Sequence, residues 1–309
     1  MTVWVRALSH LQRSRTKMAS QLPHLAEVER LSPACIRILG GNPGKFTLQG
    51  TNTYLVGTGR RRILIDTGEG RPSWITALTR TLREEDATVS DVILTHWHVD
   101  HVGGVDDVLA QVNADCRVHK KRRPSHDDDR ELDIQDGDVF RADGASLTAI
   151  YSPGHTTDHI ALVLQEEDAM FTGDNVLGHG TSVYEDLGEY MRSLGKMQPL
   201  FRGRAYPGHG PVIENGPAKI QEYISHRQQR EDQVLRTLQS TTKDASDPGA
   251  DISRGLTAGE LVKIMYSDVR EELHPAAEKG VRQILGKLQQ EQKVSPYGDR
   301  WLVRARSPL

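Results

Sequence analysis

The chain has 309 residues, 37% hydrophobic and 26% charged, and a net charge of −3. That suits one large core with a small appendage, and no stretch approaches the roughly 18 apolar residues of a spanning helix, so no membrane partner is expected. The near-neutral charge balance argues neither for nor against nucleic acid, while only two cysteines, Cys35 and Cys116, exclude a disulfide framework and fit a reducing compartment such as the cytoplasm.

At the amino terminus, Arg6, Arg13, Arg15 and Lys17 stand among serines, and no acid precedes Glu27. Residues 1–27 read as a targeting or poorly ordered extension. A mitochondrial presequence fits, which would make the location mitochondrial, and so does a plain extension. Structured sequence is expected from Val28, with a first domain over residues 28–239. Ile36–Leu39 reads as a strand before the turn cluster Gly40–Gly44. Thr51–Gly57 and Arg62–Asp66 read as a hairpin.

The apolar run Val92-Ile93-Leu94 reads as a buried strand, and Thr95-His96-Trp97-His98-Val99-Asp100-His101-Val102-Gly103-Gly104 follows it directly. A tight loop at a strand end, carrying three imidazoles and a carboxylate, can point ligands at two adjacent metal positions. Imidazole suits zinc, and a carboxylate suits a harder or second site. Next, Val118 to Arg123 forms a basic run ahead of Asp127–Asp129. Such a run can contact phosphates. The plainer reading is a solvated loop of offsetting charges, in which His119 and His126 are surface residues and not ligands.

Three further loops repeat one form, a short apolar run, a Gly or Pro turn, then one metal-competent side chain. They are Ser152-Pro153-Gly154-His155-Thr156, Phe171-Thr172-Gly173-Asp174-Asn175 and Tyr206-Pro207-Gly208-His209-Gly210. His159 and His179 lie close enough to these loops to line the cleft or support a neighbour, and Tyr184 and Tyr190 are candidate pocket walls. Residues 218–238 suit a long exposed helix, and 240–251 a polar linker. A second module is expected over 256–309: a helix opened by Thr257 and Glu260 as a capping box, another over 275–292, and a short strand at Trp301–Val303. That order is winged-helix-like. Its mixed charge makes no clear phosphate-binding stripe.

The four ligand loops resemble those of the metallo-β-lactamase superfamily. The resemblance implies an α/β fold, a four-layer αββα sandwich, here with the small C-terminal winged-helix-like module. It also implies that His96, His98 and His155 hold a first metal, that Asp100, His101 and His209 hold a second, and that Asp174 bridges them. Asp66, in the turn Asp66-Thr67-Gly68, would support a liganding imidazole, or else only cap its turn. Two zinc ions per chain suit this ligand set, although iron or manganese fit similar sites. Two such cations lower the pKa of water from about 15.7 to about 7, so hydrolysis is expected, with Asp100 as the catalytic carboxylate.

Two subfamilies share the whole layout. Gly41-Asn42-Pro43-Gly44, Gly50-Thr51-Asn52-Thr53-Tyr54 and Tyr206-Pro207-Gly208-His209-Gly210-Pro211 resemble both the β-lactamase-like endoribonuclease of animal mitochondria and fungal lactamase-like thioesterases of secondary metabolism. Val102 and the run Phe171–Gly178 look more like the fungal group. The first expectation is therefore a zinc-dependent thioesterase whose partner is the acyl carrier protein of a polyketide synthase. The alternative is an endoribonuclease acting on single-stranded RNA.

Overall fold

The computed structural model describes residues 22–123, 129–243 and 255–304, with the side chains of 241–243 excepted. Most of the basic N-terminal extension, His126, and the linker beyond residue 243 lie outside the described residues.

Seven strands form the first sheet in chain order: β1 (Val28–Ser32), β2 (Cys35–Leu39), β3 (Asn52–Val56), β4 (Arg61–Ile65), β5 (Thr88–Leu94), β6 (Arg117–Lys120) and β7 (Glu131–Asp133). Pairing is antiparallel through β4 and parallel from β4 to β7. The expected hairpin is β3 and β4. A second sheet contains β8 (Val139–Ala142), β9 (Ala145–Tyr151), β10 (Ile160–Leu164), β11 (Ala169–Gly173) and β12 (Ala205–Pro207), in the order β12-β11-β10-β9-β8. Only β11 and β12 run parallel in it.

The central strands are buried on both faces, which is why they read as continuous apolar runs. In β4, Ile63 and Ile65 face the second sheet, where they meet Leu147, Leu162, Phe171 and Tyr206. Leu64 points the other way, against Trp74 and Leu78. Those two belong to α1 (Pro72–Glu84), whose buried Trp74, Ile75, Leu78 and Leu82 recur at helical spacing. Proline at its start fits, because the missing N–H would have no helical partner there. Two short helices, α2 (Val99–Val102) and α3 (Val105–Gln111), follow β5. Outside the second sheet lie α4 (Leu187–Met197) and α5 (Gly216–Lys243). The layers are thus helix, sheet, sheet, helix, as expected.

The C-terminal module contains α6 (Ala258–Met265), α7 (His274–Gln290) and a small sheet of β13 (Leu256–Thr257), β15 (Arg300–Val303) and β14 (Val294–Tyr297). Both hydrogen bonds of the Thr257–Glu260 capping box are present. The module shares one core with α4 and α5: Leu194, Ile220 and Tyr223 continue into Val234, Leu238, Leu261, Ile284 and Leu288. Each buried aliphatic side chain of this kind contributes roughly 1.5–3 kcal/mol. The long helix read as exposed is therefore buried along one face. No described helix is long and apolar enough to cross a membrane.

The basic run needs correction. Residues Arg117–Lys120 are strand β6, held between β5 and β7. His119 is buried, and its Nε2 lies 2.9 Å from Asp91 Oδ1. Lys120 is 3% exposed and pairs with the buried Asp158 at 2.9 Å. A strand held between two others offers no solvated edge, so Val118–Lys120 is not a loop, whereas Lys121–Arg123 do leave the strand and Arg122 is exposed.

Candidate metal centre

Every ligand candidate leaves the end of a buried strand. β5 delivers His96 and His98, α2 carries Asp100 and His101, and the turns after β9, β11 and β12 deliver His155, Asp174 and His209. Potential ligand atoms of His96, His98, His155 and Asp174 all lie within 4.8 Å of one another, and so do those of Asp100, His101 and His209. The two groups adjoin. Asp174 Oδ1 is 3.5 Å from His101 Nε2, and its Oδ2 is 3.3 Å from His209 Nε2 and 3.6 Å from His155 Nε2. Asp100 Oδ2 lies 3.4 Å from His101 Nε2 and 3.3 Å from His209 Nε2.

The far sides of three rings are already engaged, which fixes the atoms that face inward. His101 Nδ1 meets Asp66 Oδ2 at 2.7 Å, His155 Nδ1 meets the Val183 carbonyl at 2.8 Å, and His96 Nδ1 meets Thr95 Oγ1 at 3.0 Å. Their Nε2 atoms point into the centre. His96 Nε2 and His155 Nε2 converge on His98 Nδ1 at 3.0 and 3.1 Å. His101 Nε2 and Asp174 Oδ1 are buried and make no hydrogen bond. Buried polar atoms without partners are costly, and both would be satisfied by a divalent cation. The donor set, five imidazoles and two carboxylates, fits that group.

Electrostatics divide the two groups, with His101 and His209 raised beside the carboxylates and His96 and His98 lowered. Burial alone would raise the Asp174 carboxyl, but the imidazoles of His209 and His101 hold it well below the ordinary carboxylate range. Asp100 is likewise held down to about 2, chiefly by His209 and His101 against the effect of burial. Burial disfavours a charged His209, yet Asp174 and Asp100 more than offset this and push it up to about 10. His96 and His98 go the other way, lowered by burial and by neighbouring imidazoles, which keeps their nitrogens free to donate.

Comparison with known proteins places this arrangement. The Metallo-beta-lactamase superfamily profile matches residues 46–209, and the Beta-lactamase associated winged helix domain matches residues 257–301. The lactamase-like protein aptB of Emericella nidulans is 46% identical over 293 residues, covering 93% of each chain. The lactamase-like protein vrtG of Penicillium aethiopicum is 46% identical, covering 89% of this chain and 87% of its own. The chain belongs to the metallo-beta-lactamase superfamily. Among solved structures, a beta-lactamase domain protein of Burkholderia ambifaria has a TM-score of 0.72 at 17% identity, covering 93% of this chain and 96% of that one. A metallo-beta-lactamase family protein of Thermus thermophilus has a TM-score of 0.65 at 21% identity, covering 89% and 100%. These two share the fold.

As in any such superfamily site, the residues around the ligands set their geometry, and several escaped the sequence reading. Thr51 Oγ1 donates to Asp100 Oδ2 at 3.2 Å, and Asn42 holds Thr51 through both its backbone and its hydroxyl. The side-chain amide of Asn52 donates to the carbonyls of Pro207 and Gly210 at 2.8 Å, bracketing His209. Asp66, buried at 2% exposure, does more than cap its turn, since it binds His101 as well as Thr95. His159 is a buried support: its Nε2 accepts from the Asp174 backbone N–H at 3.1 Å, and its Nδ1 faces Ser152 Oγ. His179 is exposed on the rim of the cleft. Neither tyrosine forms a wall. Tyr190 is buried with its hydroxyl on the Asn175 carbonyl, and Tyr184 stacks on Tyr190. Cys35 and Cys116 are free and buried, and neither belongs to a ligand group.

Five of the candidates, His98, Asp100, His155, Asp174 and His209, line a cleft of about 740 Å³, bounded on one side by the loop Gly41–Leu48 and on the other by Leu177 and His179–Val183. Its walls carry several apolar side chains beside the charged Lys45, Glu69 and Arg71. Phe46, Val99 and Val183 are 75%, 62% and 63% exposed, and Leu48 and Leu177 stand below them.

Proposed function

We propose that this protein is a zinc-dependent thioesterase that releases a polyketide from an acyl carrier protein. The observation that carries this reading is the cleft: seven converging His and Asp side chains lie beneath the apolar group Phe46, Leu48, Val99, Leu177 and Val183, which shares the rim with Lys45, Glu69, Arg71 and His179. An apolar chain or aromatic ring held by such a rim would bring its thioester carbonyl down to the ligands. The corrected position of the basic run supports it too. Lys120 and Arg123 are engaged with Asp158, Lys121 with Asp133, and Arg123 also lies over Trp97 at 4.7 Å. The segment that would have favoured RNA is thus largely paired within the protein. The full-length similarity to fungal lactamase-like proteins agrees with the sequence resemblance to the fungal thioesterases.

His96, His98 and His155 would hold one zinc ion, Asp100, His101 and His209 the other, with Asp174 reaching both. When bound, the pair supplies Lewis acidity and a water that ionises near neutral pH. Asp100 is ionised and keeps one edge open to the cleft. Its carboxylate would accept a hydrogen bond from the attacking water and pass that proton to the departing sulfur. Thr51 fixes the carboxylate's other edge. Acid–base help of this kind is worth roughly 10²–10⁴ in rate. The rim excludes water and orients the acyl group.

A paired turnover assay tests the reading. Zinc-loaded protein and its Asp100→Ala variant would be offered an acyl thioester of pantetheine or of carrier protein, and separately a labelled single-stranded RNA. Thioester cleavage lost in the variant, with RNA intact, supports the proposal. RNA cleavage lost in the variant, with the thioester intact, overturns it in favour of an endoribonuclease.

A further inference from the structure

The segment from Gly180 to Tyr184 has no regular secondary structure, yet hydrogen bonds grip it from two sides. On the inner side, the Val183 carbonyl accepts from His155 Nδ1 at 2.8 Å, and the Ser182 hydroxyl donates to the Asp174 carbonyl. On the outer side, the carbonyls of the alternate residues face the helices. The Tyr223 hydroxyl donates to Gly180 at 2.8 Å, the Arg227 guanidinium to Ser182 at 2.8 Å, and the Gln283 amide to Tyr184 at 2.9 Å. Arg227 also lies over the Tyr184 ring at 4.9 Å, and that ring stacks on Tyr190. Tyr223 and Arg227 belong to α5, and Gln283 to α7 of the C-terminal module. The buried ion pair between Lys287 and Glu231, 2.7 Å long, locks α7 to α5.

We propose that Arg227 and Gln283 are positioning residues for the metal centre, and that the winged-helix module acts on the site through this strap. The argument is one of chemistry as well as proximity. A hydrogen bond from His155 Nδ1 to a carbonyl selects the tautomer whose Nε2 lone pair faces the ligand cluster, and it sets the plane of the ring. That carbonyl is only as well placed as the irregular segment carrying it. With the ladder of a sheet absent, the segment is held by its outer partners, and one of those is contributed by the C-terminal module. Thr181 and Val183 of the same strap line the cleft, so one element serves both the first ligand group and the substrate wall.

The proposal rests on the metal centre but on no particular substrate, so its test uses zinc alone. Arg227→Ala, Gln283→Leu and Arg227→Lys would each be made in two backgrounds. His209→Ala leaves the His96, His98 and His155 group to titrate, and His98→Ala leaves the Asp100, His101 and His209 group. Zinc affinity is then measured by competition with a chelator, with thermal unfolding followed in parallel. Arg227→Ala and Gln283→Leu are expected to weaken zinc about tenfold in the His209→Ala background, the lower end of the roughly 10–100-fold seen when an outer partner of a ligand is lost. The His98→Ala background should show a clearly smaller loss, since the strap reaches that group only through Ser182 and the Asp174 carbonyl, and Arg227→Lys should restore binding by keeping a donor to Ser182. An equal fall in both backgrounds would mean a general loss of structure and overturn the proposal, as would unchanged affinity in both. A parent chain that takes up no zinc would overturn the centre itself. Because no thioester enters the titration, failure of the substrate reading shows separately.

Discussion

Asp66 and His101 form a buried pair 2.7 Å apart, with side-chain exposures of 2% and 0%. Asp66 adopts a left-handed backbone, φ 59°, directly after β4, and this turns its carboxylate across to the start of α2. The same carboxylate accepts from the Thr95 backbone N–H at 2.8 Å. One side chain therefore ties the end of β5 to a ligand five residues from His96. An asparagine fits the space but cannot accept with both terminal atoms, so the ring of His101 loses its orienting partner. Asp66→Asn is expected to drop bound zinc below two per chain and turnover by roughly 10–100-fold. Elemental analysis alongside the thioester assay checks this, and full zinc content with parental turnover would show that His101 needs no such support.

The ligand candidates were legible because each loop follows a buried strand, and in three of the four a Gly or Pro turn precedes the side chain, a local pattern that survives in sequence. The C-terminal module was legible for a similar reason, since the Thr257–Glu260 box is a short-range signal. The supporting residues did not show their roles. Asn42, Thr51 and Asn52 stood in stretches that carried the resemblance and Ser182 in none, and only tertiary contacts bring Asp100, His209 and Asp174 beside them. His119 misled for the opposite reason. The four cations that follow it read as solvated, but parallel pairing with Ile93 and Leu132 buries His119 itself and sets it beside Asp91. The apolar rim likewise emerges only when residues 46, 99 and 183 meet.

Phe46 offers a test of that rim. It is 75% exposed on the loop over the cleft, so its removal costs the fold little, within about 0.5 kcal/mol for a surface site. Burying an aromatic group against an acyl chain is worth about 1–3 kcal/mol in discrimination, or 10–200-fold. Phe46→Ala is expected to raise KM for a bulky aromatic thioester about tenfold while leaving an acetyl thioester unchanged. Steady-state kinetics on the two substrates decide it. Equal effects on both would place the acyl group elsewhere.

The ion pair between Lys287 and Glu231 predicts an asymmetry. Glu231 is fully buried, and its Oε2 meets Lys287 Nζ at 2.7 Å. Removing the lysine leaves an uncompensated buried carboxylate, whereas replacing both members leaves none. Lys287→Met should destabilise the chain by about 3–5 kcal/mol, and the double variant Lys287→Met with Glu231→Leu should recover most of that loss. Urea unfolding of the three proteins measures it. A double variant as weak as the single would mean that the loss comes from packing and not from the stranded charge.

Asp91 supplies a pH dependence away from the metal ligands. Burial would raise its carboxyl, but hydrogen bonds from His119 and Arg117 outweigh this and hold it at about 2, against an ordinary 3.8. A carboxylate lowered on folding contributes stability that is full above its unfolded pKa and disappears as pH falls through the folded value. Its share is therefore present at neutral pH and lost between about pH 4 and pH 2. Asp91→Asn should be less stable than the parent at pH 7, and the gap should close across that interval. Unfolding midpoints of metal-free protein at several pH values give the answer. A gap that stays constant down to the lowest pH would show that packing around His119, and not the charge on Asp91, carries the contribution.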